Sequence, residues 1–209
     1  MALTKVNTGG LAADAVDNTI LKLDDAFAFT GTVTGTPSGM NLLLNSTISS
    51  AVAQFDISST YINSTYDNYV LQATLLPSSD NTHVLMRVFE NGSVVTGDKY
   101  SYEASANSSS TYLQSNSVHR FGVNVTQVGN AVGEGITLNL TCHNVNSTTH
   151  PFCYGGSAQS FTSSAAPASQ EIGGSLLVAN RGIVVNGLRL TFESGNIASG
   201  IVKVYGISK

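Results

Sequence analysis

Charged side chains are scarce in this chain of 209 residues. Asp, Glu, Lys and Arg together make up 11% of it, and the formal net charge is −4. Typical globular domains carry about twice that charged share. The sequence also lacks a block of Lys and Arg, which a protein needs in order to neutralise nucleic-acid phosphates. We therefore expect no nucleic-acid partner.

Long apolar runs and cysteines are also few. No run approaches the roughly 18 apolar residues that indicate a membrane-spanning helix. The first residues, MALTKVNTGGLAADAVDN, lack the apolar segment of a signal peptide. The only cysteines are Cys142 and Cys153, fewer than a secreted disulfide scaffold usually carries. We expect a protein that is made in a cytosol and is not inserted into a membrane.

Ser, Thr, Asn and Gly are abundant and accompany many Val, Ile and Leu residues, a composition that suits strands and tight turns. From residue 37 onward, apolar and polar residues alternate in runs that turn signals separate at intervals of about 8–15 residues, a spacing typical of all-β domains. The sequence therefore predicts an all-β fold, an antiparallel β-sandwich of jelly-roll type, over residues 37–209.

The alternation also predicts which side chains point inward. Inward sets are Ile136, Leu138, Leu140 and Cys142, and Leu188, Leu190 and Phe192, while Tyr69, Leu71, Ala73 and Leu75 share one face of their run. Val84, Met86 and Val88 also share one face, with Leu85, Arg87 and Phe89 on the other, so this run is apolar on both faces. Asn91-Gly92, between two apolar runs, is a strong hairpin signal. SGNIASG predicts a second hairpin, which pairs the 188–192 run with a last strand that buries Val202 and Val204 and exposes Lys203. Residues 155–174 are the most loop-like stretch, a surface loop or a weak strand around Phe161.

Residues 1–36 differ from the rest. Leu11, Val16, Ile20 and Leu23 could share one helical face, but there are too few apolar groups here for an independent core. We therefore predict an N-terminal arm over residues 1–36 that anchors the sandwich to something else.

Catalytic motifs are missing. The Gly-x-Ser-x-Gly elbow and the Walker loop are absent, and GNAVGEG is better explained as a turn. Carboxylate pairs for glycoside hydrolysis depend on a separation in space that sequence does not give. Acidic residues at turns usually cap or solvate, and four of them are Asp80, Asp98, Glu134 and Glu193.

Two sets of residues are candidate metal ligands. Cys142, His143, His150 and Cys153 are ligand types for zinc, but their spacing fits no common finger, and adjacent residues of a strand point to opposite faces. Asp24-Asp25 is a weak calcium candidate without an oxygen-rich loop around it. We therefore assign no catalytic, cofactor-binding or metal-binding residue and no cofactor, and we predict a protein that is not an enzyme.

Tyrosines cluster in the middle of the chain. They could form a stacking surface for sugars or a protein interface, but the simpler interpretation is that tyrosine suits half-buried strand positions. The residues are Tyr61, Tyr66, Tyr69, Tyr100, Tyr102 and Tyr112.

Three stretches resemble virion structural proteins of tailed bacteriophages, particularly marine ones. They are LTFESGNIASGIVKVYGISK at the end, GGLAADAVDNTILKLDDAFAFTGTVTG near the start, and STYDNYVLQATLLPSSDNTHVLMRVFENG between them. The resemblance implies a β-sandwich of the virion, of the fibre, tail or head-surface type, assembled in the host bacterial cytoplasm. It supplies no catalytic motif.

We therefore predict a non-enzymatic virion structural protein, an outward-facing appendage that its arm anchors to other virion proteins. The alternative is a module that recognises host glycans; a glycan-degrading enzyme is a third hypothesis. Apolar residues on both faces of HVLMRVFENG imply a second buried face and hence a homo-oligomer. The resemblance to phage fibres implies a trimer.

Overall fold

The computed structural model describes residues 39–106, 109–121, 127–162, 164, 166–180 and 182–208. The predicted arm, residues 1–36, lies outside these described residues. Those that are described belong to one compact unit, 37–209. Their regular structure consists of strands and a single turn of 3-10 helix, so the predicted all-β fold is confirmed.

Thirteen strands make up this part of the chain. In order they are β1 (Met40–Ile48), β2 (Phe55–Ile57), β3 (Asn68–Pro77), β4 (Val84–Glu90), β5 (Ser93–Val94), β6 (Tyr100–Ala106), β7 (Ser109–Asn116), β8 (His119–Phe121), β9 (Gly135–His143), β10 (Cys153–Phe161), β11 (Pro167–Leu176), β12 (Val185–Phe192) and β13 (Ile197–Ile207). The 3-10 turn, Val178–Asn180, lies between β11 and β12.

The strands form two antiparallel sheets that pack face to face. The large sheet has eight strands in the order β1-β13-β3-β9-β10-β11-β6-β7. The small sheet has the order β2-β12-β4, and β5 and β8 both pair with β4. The antiparallel sandwich that the sequence predicts is therefore confirmed.

The chain path explains the jelly-roll character of the sandwich. Strands pair as nested partners from the outside of the chain inward: β1 with β13, β2 with β12, β3 with β9 and β4 with β8. One long antiparallel hairpin wrapped around a barrel-like core gives this pattern, which is that of a double-sheet jelly roll. The additional strands β10, β11, β6 and β7 extend the large sheet beyond β9.

The core lies between the two sheets and includes the residues that the sequence predicts to point inward. Alternate side chains of a strand point to opposite faces, so each strand gives one apolar row to the core. The apolar rows that alternation indicates are all at most 5% exposed: Tyr69, Leu71, Ala73, Leu75, Ile136, Leu138, Leu140, Cys142, Leu188, Leu190, Phe192, Val202 and Val204. On β4, where the sequence left the inward face open, the row that points into the core is Val84, Met86 and Val88.

The hairpin at Asn91-Gly92 is confirmed. It joins β4 to β5, with Glu90 opposite Ser93. The φ angles of Asn91 and Gly92 are 50° and 78°, in the left-handed region that two-residue hairpin turns of type I′ require at both central positions.

The prediction of a loop or weak strand at residues 155–174 was wrong. The segment forms most of the long β10–β11 hairpin, in which Tyr154 lies opposite Gly174. A Cβ atom at Gly174 would lie 2.7 Å from the Tyr154 ring, so only glycine leaves room for that ring. Gly156, another glycine that resembles a loop signal in the sequence, has a φ angle of 154° and leaves no room for a Cβ atom beside the backbone of Asn139 on β9.

The predicted pairing of the last two strands was also wrong, although their inward faces were predicted correctly. β12 lies in the small sheet and pairs with β2 and β4, whereas β13 lies in the large sheet between β1 and β3. The SGNIASG segment therefore crosses from one sheet to the other. Leu190 and Val204 belong to opposite walls of the core and are not neighbours in one ladder.

Substitutions on β13 test its packing. Val204 is 1% exposed, and Lys203 beside it points to the outer face. We expect Val204→Asp to lower the free energy of unfolding by about 3 kcal/mol or more, because it buries a charge without a partner. Lys203→Asp should cost about 0.5 kcal/mol or less, as surface changes usually do. Urea or thermal melts measure both, and equal losses would contradict this packing.

Candidate functional site

The outer face of the large sheet carries a row of polar side chains that strand register places in line. Lys203 on β13 lies opposite Gln72 on β3, and Gln72 lies opposite Asn139 on β9. The adjacent row on the same face runs through Ile201, Thr74, Thr137 and Gln159. Four neighbouring strands thus present amides, hydroxyls and one ammonium group together.

These rows line a groove of about 420 Å³. Its floor is the backbone of β3 and β9, where the Thr74 and Thr137 hydroxyl oxygens lie 3.1 Å apart in a hydrogen bond. Gln159 donates from Nε2 to the Ser157 hydroxyl at 2.9 Å. The side chains of Gln72, Asn139 and Lys203 make no hydrogen bond or ion pair within the described residues, so they are available to a ligand.

A second depression of about 570 Å³ continues the groove past Thr74, Thr137 and Gln159, which line both parts. Its apolar wall includes Phe161, the last residue of β10, which is 46% exposed. Ile201, at the other side of the groove, is 45% exposed. The combined site has polar groups in the middle and an exposed apolar side chain on each side.

The small sheet is different because Asp56 and Glu193 pair with neighbouring cations, while Arg87 donates to the backbone oxygen of Ser117. Arg189 donates to both carboxylate oxygens of Asp56, at 2.6 and 2.7 Å, and its guanidinium lies 5.2 Å from the centre of the Phe89 ring. Glu193 accepts from His83 at 2.8 Å and also pairs with Arg120. In the groove of the large sheet, by contrast, Lys203 has no carboxylate partner among the described residues.

Cys142 and His143 point to opposite faces of β9, as expected of adjacent residues in a strand, so they cannot easily bind one zinc ion. Cys142 points into the core and is 0% exposed, and burial raises the pKa of its thiol to about 12. His143 points outward and is exposed. Cys142 and Cys153 are both free thiols. No group of three or more His, Cys, Asp or Glu within the described ranges could hold a metal ion, and Asp24-Asp25 lies outside those ranges.

Register does bring together one nucleophile and one base. Cys153 lies opposite His143, and the Nδ1 atom of His143 lies 3.1 Å from Oδ1 of Asn68 on the next strand. A Cys–His–Asn set is a known arrangement for acyl transfer. However, no hydrogen bond joins the Cys153 thiol to His143, and burial raises the pKa of Cys153, whereas an activated thiol needs a lowered one. This row of residues therefore does not form an activated nucleophile.

Three of the clustered tyrosines and the turn carboxylate Glu134 follow the simpler interpretation, whereas Glu193 forms the ion pairs described above. Tyr69, Tyr100 and Tyr102 are at most 1% exposed and belong to the core, not to a stacking surface. The side chain of Tyr112 is outside the described part of the structure. Glu134 accepts from the Ala131 backbone N–H at 2.7 Å across its turn, as expected of a capping residue.

A fully buried histidine lies in the middle of this aromatic core. The ring of His119, on β8 of the small sheet, makes edge-to-face contacts with Tyr100 and Tyr154 of the large sheet, both at 4.7 Å between ring centres. Among the described residues, neither ring nitrogen of His119 has a hydrogen-bond partner, and the same holds for the hydroxyls of Tyr102 and Tyr154. Desolvation lowers the pKa of His119 to about 3, so the ring is neutral at ordinary pH.

Comparison with known proteins gives no match to any family model, curated protein or solved structure. Within the described residues, no helix has the length and apolar character needed to cross a membrane.

The groove residues were not identified from the sequence. Gln72, Asn139 and Lys203 occupy outward positions of runs whose alternation was recognised, but alternation does not say which strands are neighbours. Only the order β13-β3-β9-β10 brings these side chains together. Polar amides at outward strand positions were the one available signal, and they are common on any strand surface.

The buried His119 predicts acid-sensitive stability. Its pKa is about 3 in the folded protein and 6.5 in the unfolded chain, so below about pH 6.5 the unfolded state takes up a proton that the folded state does not. Stability should therefore fall as pH drops from about 6.5 towards 3, by a few kcal/mol from this group.

Thermal or urea melts from about pH 7 to pH 4 measure this loss. In His119→Phe, which keeps an aromatic ring and removes the titrating group, the loss should shrink. The exposed His150 offers the matched control, and His150→Ala should keep the acid sensitivity of the original chain. If His119→Phe loses stability with acid as steeply as the original chain, the buried ring is not its source.

Proposed function

We propose that this chain is a non-enzymatic structural protein of a bacteriophage virion. In this proposal its jelly-roll domain, residues 37–209, faces outward as a fibre, tail or head-surface component. Its arm, residues 1–36, anchors that domain to other virion proteins during assembly in the host cytoplasm. The observation that carries the proposal is the resemblance of three separate stretches of the sequence to phage virion proteins.

Two features of the structure support this role. Double-sheet jelly rolls recur in viral capsid and lectin domains, where a rigid sandwich displays a surface. In addition, the Cys153 thiol, which lies opposite His143, is not activated, and the outer face of the large sheet carries a polar groove suited to binding. A fold supports many functions, so the surface and the resemblance carry more weight here than the architecture.

Deletion of residues 1–36 tests the anchoring role. We expect the shortened protein to remain β-rich by circular dichroism, because the strands of both sheets and the apolar core described between them come from residues beyond position 36. We expect it to be missing from purified particles when it replaces the original protein during infection, as measured by mass spectrometry of virions. Incorporation at the original copy number would rule out anchoring by this segment. Absence of the full-length protein from virions would overturn the virion proposal itself.

Self-association into a trimer is part of the proposal, but the apolar outer face of β4 does not supply the contact surface. The outer side chains of β4 are covered within the chain: Phe89 lies under Arg189, and Leu85 is only 9% exposed. A better surface lies at the edge of the large sheet. Met40 and Leu42 on β1 are each 53% exposed, and they lie opposite Ile207 and Tyr205 on β13. This apolar patch supports contact with further copies of the chain.

Light scattering of the full chain at micromolar concentration tests the oligomer. We expect a trimer mass, and we expect Leu42→Glu to lower it, because a carboxylate at the patch would have to be desolvated on association. Thr47→Glu places the same charge at another exposed position of β1 and should leave the mass unchanged. A monomeric original chain would contradict the proposed oligomer.

Recognition of a host glycan is the second candidate function, and the groove on the large sheet favours it. Amides and hydroxyls with open hydrogen-bonding capacity, next to the exposed side chains of Ile201 and Phe161, suit a polyhydroxylated ligand. The two functions are compatible, since a virion appendage that faces outward is in a position to meet the host surface.

A further inference from the structure

We propose that the groove on the large sheet binds an acidic oligosaccharide, with a sugar carboxylate at Lys203 and the chain running across β3, β9 and β10. The inference rests on the second candidate function above and names its ligand class and contacts. It is carried by three properties of the groove: its hydrogen-bonding groups, its apolar walls and its single cation.

The hydrogen-bonding groups match neighbouring sugar hydroxyls. Each amide side chain offers both a donor and an acceptor, and each sugar hydroxyl requires both. Gln72 and Asn139 lie opposite each other on adjacent strands and have no protein partner among the described residues. Their amides can therefore bind without first giving up an internal hydrogen bond.

The apolar walls suit the C–H faces of sugar rings. Phe161 and Gln159 lie two residues apart on β10 and so project from the same face, about 7 Å apart along the strand. A ring stacked on Phe161 would bring its hydroxyls towards Gln159. Ile201 provides a second apolar contact on the β13 side, next to Lys203.

The length of the groove favours an oligosaccharide over a single sugar. From Lys203 on β13 to Gln159 on β10 the groove crosses three strand intervals, which is about 14 Å at the usual spacing between strands. The second depression, which Thr74, Thr137 and Gln159 share with the groove, extends this length towards Phe161.

Lys203 gives the groove its preference for a charged ligand. It lines the groove, has no ion pair within the described residues, and is flanked by the uncharged Gln72 and Asn45 on the neighbouring strands. The nearest acidic residue in this row is Glu171 on β11, four strands away from Lys203. An ammonium group in a neutral surrounding favours a carboxylate over a neutral hydroxyl.

Tetramers of galacturonate, mannuronate and glucuronate, each with its carboxyl-reduced neutral counterpart, are suitable probes. Titration calorimetry with the full chain should show binding of at least one uronate tetramer. Its reduced counterpart should bind about tenfold more weakly, since a hydrogen bond to a charged group is stronger than a neutral one. Absence of binding to every tetramer at millimolar concentration overturns the proposal.

Variants locate the site. Lys203→Met should lose about tenfold in affinity for the uronate and should bind the acidic and reduced tetramers equally. Asn139→Ala should weaken both tetramers alike, because the amide contacts hydroxyls. Lys99→Met removes a cation that lies before β6, outside the groove, and serves as the control that should bind like the original chain. Uronate binding that persists unchanged in Lys203→Met and Asn139→Ala would overturn the assignment of the groove.

The same variants separate this inference from the other proposals. If Asn139→Ala changes the mass by light scattering and no tetramer binds, the groove is a contact between copies of this chain, and the glycan inference is wrong. If no tetramer binds but the protein is present in virions, the virion proposal stands without it. If the tetramers bind but the protein is absent from virions, the groove assignment stands and the virion role fails.

Discussion

The fold depends on the alternation of apolar and polar residues along strands that carry very few charges. A strand with one apolar face is stable only when a second layer covers that face. β3 and β9 in the large sheet, and β4 and β12 in the small sheet, each supply such a face. The two sheets therefore close on one core, and the nested pairing of β1 with β13, through to β4 with β8, connects them with antiparallel neighbours throughout.

The β10–β11 hairpin that extends the large sheet pairs a large side chain with a small one: Tyr154 on β10 lies opposite Gly174 on β11. Tyr154 on β10 packs into the aromatic core against His119, and Gly174 on β11 leaves space for its ring. Glycine weakens β11, because it has no side chain to pack. The buried Tyr154 ring that occupies the space beside Gly174 supplies that packing instead. With β10 and β11 in place, the outer face gains Gln159 and Phe161, and without them the groove would lack its apolar wall.

Contacts between strands, such as that of Tyr154 with Gly174, could not be predicted from the sequence, whereas the face on which a side chain lies could. Inward faces were predictable on β3, β9, β12 and β13, because alternation is a local property. The 155–174 hairpin was not, because Gly174 is explained by the Tyr154 ring on the neighbouring strand and Gly156 by the close backbone of β9, and neither contact is visible in the segment's own pattern. The pairing of β12 with β13 failed for a related reason: a turn signal shows that the chain reverses, but not whether it returns to the same sheet. The groove was unpredictable because its side chains come from four strands.

The distribution of charge gives the two outer faces different roles. On the small sheet, Arg189 and Asp56 satisfy each other, and Glu193 holds both His83 and Arg120, so binding there would first have to break existing pairs. On the large sheet, Gln72, Asn139 and Lys203 have no such pairs within the described residues. Solvent water now meets their hydrogen-bonding capacity, and a ligand need only replace that water. In a chain so poor in charge, an ammonium group in a row of neutral amides, without an ion pair among the described residues, is a feature that can select a charged ligand, and β13 holds it between two neighbouring strands.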